Sequence, residues 1–235
     1  MALFFKIASL CLRPLALIPV IFLFSALPVK AADVLILGDS LGASYGMAEK
    51  QGWVEGLRQA LPEHNIVNAS VSGETTAGGL RRLPQLLESV KPSLLLVELG
   101  GNDGLRGFPP TELKNNLTKI IALAHQSGAK VLLSEVMVPP NYGPRYANAF
   151  SAVYSDLAKQ PNVTLMPFFM TEIAPFPELM QADGLHPNEK AQPKITAFVL
   201  PWVESAIEAI KAPATDVSAP AQADKAIAGH NSSRT

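Results

Sequence analysis

The sequence predicts an α/β fold: a three-layer α/β/α arrangement around a five-stranded, mostly parallel sheet with the flavodoxin-like strand order 2-1-3-4-5. Three observations predict it. Five short runs are almost continuously apolar, as strands buried on both faces are: Val34 to Gly38, Ile66 to Ala69, Leu94 to Leu99, Val131 to Leu133 and Val163 to Met166. Between them lie stretches with apolar residues at helical spacing. Strand and helix alternate along the chain, the pattern of right-handed crossovers that put helices on both faces of a parallel sheet.

Of the 235 residues, the first 31 are expected to be a secretory signal. Lys6 and Arg13 supply positive charge, Pro14 to Leu27 an apolar core, and Val29-Lys30-Ala31 a small-residue cleavage site after Ala31. At about 13 residues the core is shorter than the roughly 20 that span a bilayer, so no stable membrane span is expected after cleavage. Cys11 precedes that core, which does not fit lipid attachment, and as the single cysteine it leaves with the signal. The remaining 204 residues (235 less 31) carry 16 basic and 20 acidic side chains, enough chain for one domain with a full core. No basic field for nucleic acid is present, and Arg81-Arg82 reads as the solvated face of a helix. Without cysteine there is no disulfide, thiol nucleophile or cysteine-held metal, which suits the periplasm or the extracellular space.

After the first strand, Trp53, Leu57, Ala60 and Leu61 form a short helical stripe ended by Pro62. The second strand runs into the turn-rich Ser70 to Thr76, and Leu80, Leu83, Leu87 and Val90 continue at helical spacing. The third strand stops at Gly100-Gly101-Asn102-Asp103, which reads as a turn. In the next helix Thr111 caps the start, Leu113, Leu117, Ile120, Ile121 and Ala124 form one face, and Gly128 ends it. A loop through Pro140, Tyr142 and Pro144 precedes a helix around Phe150, Val153, Tyr154 and Leu157. After the fifth strand, Asp183-Gly184-Leu185-His186-Pro187 leads to a last helix with Ile195, Val199, Val203 and Ile207 on one face and a bend at Pro201. Residues 32–211 are thus expected to form the domain, and the Ala/Pro-rich residues 212–235, without periodicity, a disordered tail.

Ser40, Gly73, Asn102 and the Asp183/His186 pair each follow a strand, and a parallel sheet gathers such segments at its carboxyl edge. Their types suit acyl transfer. A serine hydroxyl is a weak nucleophile until a base takes its proton, histidine can do so near neutral pH, and a carboxylate holds that histidine in the right tautomer. The oxyanion that forms needs fixed donors, which the N–H groups of Ser40 and Gly73 and the Asn102 amide can supply. No cofactor is required. Taken singly, each residue is ordinary turn vocabulary, and the combination carries the reading. The Asp-His pair lacks further ligands at metal-binding spacing, so no metal is expected. His64 and His125 read as surface residues, and His230 falls in the tail. Gly38-Asp39-Ser40-Leu41-Gly42 also satisfies the Gly-x-Ser-x-Gly nucleophile elbow, but an elbow lies deep in a larger sheet whereas this serine follows the first strand, so Gly42 reads as coincidental.

Gly38-Asp39-Ser40-Leu41, Gly73, Gly100-Gly101-Asn102-Asp103 and Asp183-Gly184-Leu185-His186-Pro187 resemble the four signature blocks of the SGNH (GDSL) hydrolase family, in order and spacing, over Asp33 to Lys211. Val97 to Phe108, Asn141-Tyr142-Gly143 and Pro167 to Met170 resemble the family's secreted bacterial thioesterase/arylesterase/lysophospholipase type. The resemblance implies the SGNH hydrolase fold, Ser40 as nucleophile, His186 as base, Asp183 as its orienter, and Ser40, Gly73 and Asn102 as the oxyanion hole. One departure is Gly42-Ala43-Ser44-Tyr45, where that type reads Ser-Ala-Gly-Tyr; it spares the nucleophile and alters the adjoining loop.

Short connections with no inserted lid imply an open cleft. Leu105, Phe108, Pro140 and Tyr142, on loops at the catalytic edge, are candidates to line an acyl groove, with plain loop packing as the other reading. The expected reaction is hydrolysis of small-molecule acyl esters and thioesters, lysophospholipids included, through an acyl-serine intermediate in a monomer. Two rivals are a carbohydrate O-deacetylase on the same triad and a secreted binding protein that has lost catalysis, although here every triad member is present. A nucleotide-binding loop after the first strand is disfavoured by the negative charge of Asp39.

Overall fold

The computed structural model describes residues 32–211. The expected signal with Cys11, and the expected tail with His230, lie outside the described residues. The strands β1 (Asp33–Gly38), β2 (Asn65–Asn68), β3 (Leu94–Glu98), β4 (Lys130–Ser134) and β5 (Val163–Met166) pair in the order β2-β1-β3-β4-β5, all parallel, as the sequence predicts.

Successive side chains of a strand point to opposite faces, and here both faces are covered. Val34, Ile36, Leu94, Leu96, Leu132 and Met166 pack with α1 (Trp53–Ala60) and α6 (Gln192–Lys211). Leu35, Leu37, Leu95, Val97, Val131 and Leu133 pack against α2 (Thr76–Val90), α4 (Pro110–Gln126) and α5 (Pro144–Leu157). Apolar residues are therefore needed at both parities of each central strand, which is why these strands read as runs and not as alternations.

Five local expectations are corrected. Gly100-Gly101-Asn102-Asp103 is not a plain turn: Gly100 at φ 124° leads into a one-turn helix, α3 (Gly101–Leu105), too short and too poor in apolar residues to show a period. Thr111 does not cap α4, which begins at Pro110, a residue whose fixed φ suits a first helical position. Gly128, in contrast, ends that helix as expected, at φ 87° with its N–H donated to the His125 carbonyl. His64 is not a surface residue: its side chain is 3% exposed, and its Nδ1 accepts the Ala32 N–H at 2.9 Å. His125 is half-buried. Arg81 is exposed, but Arg82 is pinned to Glu74 and to the Ala69 carbonyl, each at 2.6 Å.

Candidate active site

β1 ends at Gly38, which lies beside Glu98 in the ladder, and the chain turns at once, so Ser40 stands just past the carboxyl edge of the sheet. Asp39 organises that turn. Its Oδ1 accepts the Leu41 N–H at 3.1 Å, wrapping the backbone around Ser40, and its Oδ2 accepts Asn102 Nδ2 at 3.1 Å. An ionised carboxylate only accepts, so the Asn102 amide must present its nitrogen there, which leaves the second hydrogen of that nitrogen for another acceptor.

The segment after β5 brings the other partners. Asp183 Oδ1 accepts the N–H groups of Leu185 and His186 at 2.9 and 3.0 Å, with Gly184 at φ 65° between them. Asp183 Oδ2 then accepts His186 Nδ1 at 2.7 Å, and Ser40 Oγ lies 2.9 Å from His186 Nε2. The His186 N–H, its imidazole and the Leu185 N–H together hold the Asp183 carboxyl down at about 2. With an ionised acceptor on Nδ1, the ring keeps its proton there and turns the Nε2 lone pair toward the serine hydroxyl.

Gly73, in the turn after β2, sits at φ 77° with nothing within 4 Å of where a Cβ would stand, so backbone conformation and not crowding selects glycine. Its carbonyl accepts Arg106 Nη2 at 3.1 Å, and the Thr76 N–H binds Asp103 Oδ2 at 2.9 Å. Both contacts tie the Gly73 turn to the α3 region that carries Asn102. Ser40, His186 and Asp183 are thus in direct contact, while Asn102 joins through Asp39, and Gly73 through Arg106 and Asp103.

Two residues that sequence reasoning does not reach hold the histidine. The Tyr45 ring lies 4.2 Å from that of His186, centre to centre. Gln181 Nε2 donates to the Tyr45 carbonyl at 2.7 Å and to the Pro187 carbonyl at 3.0 Å, clamping the two loops together. The sequence marks Tyr45 only as the residue at which the Gly42-Ala43-Ser44-Tyr45 block agrees with its type, without a role; nothing local marks Gln181. Gly42, read as coincidental, has a packing reason: a Cβ there would run into Ser70 Oγ.

Of the groove candidates, Leu105 is exposed and Phe108 half-buried. The Tyr142 hydroxyl donates to the Leu105 carbonyl, and Tyr146, absent from the sequence-based candidates, donates to that of Phe108, both at 2.7 Å. Tyr142 and Tyr146 also line a cavity of about 410 Å³ between Pro110 and the start of α5. Pro140 opens a 3-10 turn, Pro140–Tyr142, but its side chain lies outside what is described. Among the described residues, no cluster of three or more His, Cys, Asp or Glu side chains is arranged to hold a metal.

Two carboxyls lie beneath the serine turn. Burial pushes Asp39 up to about 6, against the opposing pull of the Leu41 N–H and Asn102. Glu98, fully buried, is held well above the usual carboxylate range by burial and then by the charge of Asp39.

A family model described as the GDSL-like Lipase/Acylhydrolase family matches residues 36–192, a span that contains every one of these groups. The chain belongs to that acylhydrolase family. This acylhydrolase is 48% identical over 182 residues to an arylesterase of Vibrio mimicus, covering 76% of this chain and 91% of that one. It is 46% identical over 180 residues to thioesterase 1/protease 1/lysophospholipase L1 of Escherichia coli (strain K12), covering 76% and 85%. The crystal structure of TesA superposes with a TM-score of 0.71 at 47% identity, covering 74% of the acylhydrolase chain and 99% of TesA. The fold, the family and the class of enzyme are those the sequence predicts.

Proposed function

We propose that this acylhydrolase cleaves acyl esters and thioesters with Ser40 as nucleophile, His186 as general base and Asp183 as its orienter. The observation that carries the reading is the continuous hydrogen-bonded chain Asp183–His186–Ser40, with steps of 2.7 and 2.9 Å. Ser40 Oγ attacks the acyl carbon while Nε2 takes its proton, and Asp183 stabilises the imidazolium. The imidazolium returns the proton to the departing alkoxide or thiolate, leaving an acyl-serine. Water, deprotonated by the same nitrogen, then releases the acid and restores the serine. The N–H groups of Ser40 and Gly73 and the free hydrogen of Asn102 Nδ2 receive the oxyanion in each half-reaction.

Aryl esters, acyl thioesters and lysophospholipids are the proposed substrates, in line with the names of the arylesterase and thioesterase/lysophospholipase relatives. Leu105, Phe108 and Tyr142, with Tyr146 and the cavity beside it, would take the acyl chain. The enzyme is proposed to act as a monomer in the periplasm or outside the cell after cleavage behind Ala31, with residues 32–211 as the catalytic domain. Among the described residues no helix is long and apolar enough to cross a membrane.

The test is hydrolysis of acyl esters and thioesters from acetyl to long chain by the mature protein and by Ser40→Ala. Activity that vanishes with Ser40 and peaks on medium or long chains supports the reading. A maximum at acetyl would turn it toward sugar deacetylation. Equal activity in the variant would remove Ser40 from the chemistry.

A further inference from the structure

Glu98 ends β3 opposite Gly38, fully buried directly beneath the turn that carries Ser40. Its Oε2 accepts the Asp39 N–H at 3.2 Å and lies close under Gly42, where a Cβ would approach it to 3.6 Å, so it sits against the turn on both sides of the serine. Its other oxygen, Oε1, has no donor within reach. An ionised oxygen buried without a donor is costly, and a second negative charge beside Asp39 more so. The Glu98 carboxyl lies against the Asp39 backbone and feels the Asp39 charge, and a single proton on Glu98 removes both penalties. The charge that remains sits on Asp39, the group that accepts from Asn102. The close fit leaves room for nothing else: a Cβ on Gly38 would approach Glu98 Oε2 to 2.8 Å and Ser70 Oγ to 2.7 Å.

We propose that Glu98 is a positioning residue for ester cleavage: protonated, it anchors the Asp39–Gly42 turn through the Asp39 N–H and steadies the Asp39 carboxylate that aims Asn102. The inference rests on the proposed roles of Ser40 and Asn102. Glu98 touches no substrate and acts through the turn and through Asp39. The ionisable groups around the pair are Asp103 and His186 on the Asp39 side and the Tyr154 hydroxyl, itself donated to the Leu99 carbonyl. None of these supplies a cation at Glu98 that would favour its ionised form.

The test compares Glu98→Gln with Glu98→Leu. A glutamine reproduces the neutral acid, since its oxygen accepts the Asp39 N–H and its nitrogen can donate where the carboxyl O–H would. A leucine fills the space and accepts nothing. With a 4-nitrophenyl acyl ester, Glu98→Gln should keep kcat within about threefold of wild type, whereas Glu98→Leu should lose about 10²-fold in kcat with KM little changed, the cost of misplacing reacting groups. Glu98→Met replaces the leucine variant if that variant does not fold. Wild-type kcat in a folded apolar variant, or a glutamine variant as impaired as the apolar one, overturns the inference. Labelling of Ser40 by an alkyl fluorophosphonate tests the underlying reading separately. If Ser40→Ala still labels and turns over, the nucleophile is wrong; if only Ser40→Ala is silent and the apolar variant labels at the wild-type rate, Glu98 positions nothing.

Discussion

The Tyr45 ring lies against the imidazole of His186, centroids 4.2 Å apart and planes tilted by 32°. The same Tyr45 is anchored through its carbonyl to Gln181, which also holds the backbone on either side of the imidazole. An aromatic face favours a neighbouring cation, and the imidazole becomes one in the proposed transition state. Tyr45→Phe keeps that face and should stay within about twofold of wild-type kcat, whereas Tyr45→Ala should lose about tenfold, the worth of one such contact. Steady-state kinetics on one ester substrate check both. Equal kinetics in the alanine and phenylalanine variants would show that the stacking has no catalytic effect.

Asn102 is aimed by Asp39 and carries the one side-chain donor of the proposed oxyanion hole. Asn102→Ala should lower kcat by about 10² to 10³-fold with a smaller change in KM. A folded variant with unchanged kcat would take Asn102 out of the site.

Asp183 is ionised at any pH well above about 2, so its charge does not change between mild acid and alkali. A fall of kcat/KM in acid should therefore include protonation of Asp39 at about 6, which weakens the hold on Asn102. A pH–rate profile measured from about pH 5 to 8 checks this, and a flat profile would argue against that role for Asp39.

Asp39 also links pH to stability. Its folded value, about 6, lies above the ordinary aspartate value of 3.8, so the folded state binds this proton more tightly than the unfolded chain. The contribution is fully present below the unfolded value and is lost as pH rises through about 6. Asp39→Asn abolishes this titration. The Tm difference, variant minus wild type, should accordingly be more positive at about pH 8 than at about pH 4, while kcat falls because an amide cannot accept from both Leu41 and Asn102. A Tm difference that does not change with pH would contradict the assignment.

Ser44 stands at φ 58° in the block where the sequence departs from its type, is 2% exposed, and has a hydroxyl without a partner. Its side chain occupies the space a Cβ on Gly52 would need. Both the left-handed backbone and the unpaired hydroxyl cost free energy. Ser44→Gly should therefore stabilise the fold by about 1 kcal/mol, a rise of roughly 2 to 4 °C in Tm for a domain of this size. Thermal unfolding checks it, and a lower Tm would mean that the Ser44–Gly52 packing outweighs the strain.

The strand order, the layers and the four segments that meet at the carboxyl edge of the sheet were legible because they rest on local facts. Apolar runs on both strand parities require a sheet covered on both faces, and parallel strands then bring Ser40, Gly73, Asn102 and His186 to one edge, whatever their separation in the chain. Gly128 was equally readable, since a helix end that needs positive φ selects glycine directly. Helix α3 was not, because five residues in Gly-Gly-Asn-Asp-type sequence hold no period. Nor were the roles of His64, Gly42, Gln181 and Glu98. Each is defined by a partner brought up by packing: the Ala32 N–H, Ser70 Oγ, the Tyr45 carbonyl and the Asp39 N–H. By itself the sequence determined which backbone ends converge, because hydrophobic periodicity is a property of consecutive residues. Only the tertiary structure decided how the converged groups are oriented and which carboxyl keeps its proton, because burial and hydrogen-bond partners come from segments far apart in the chain.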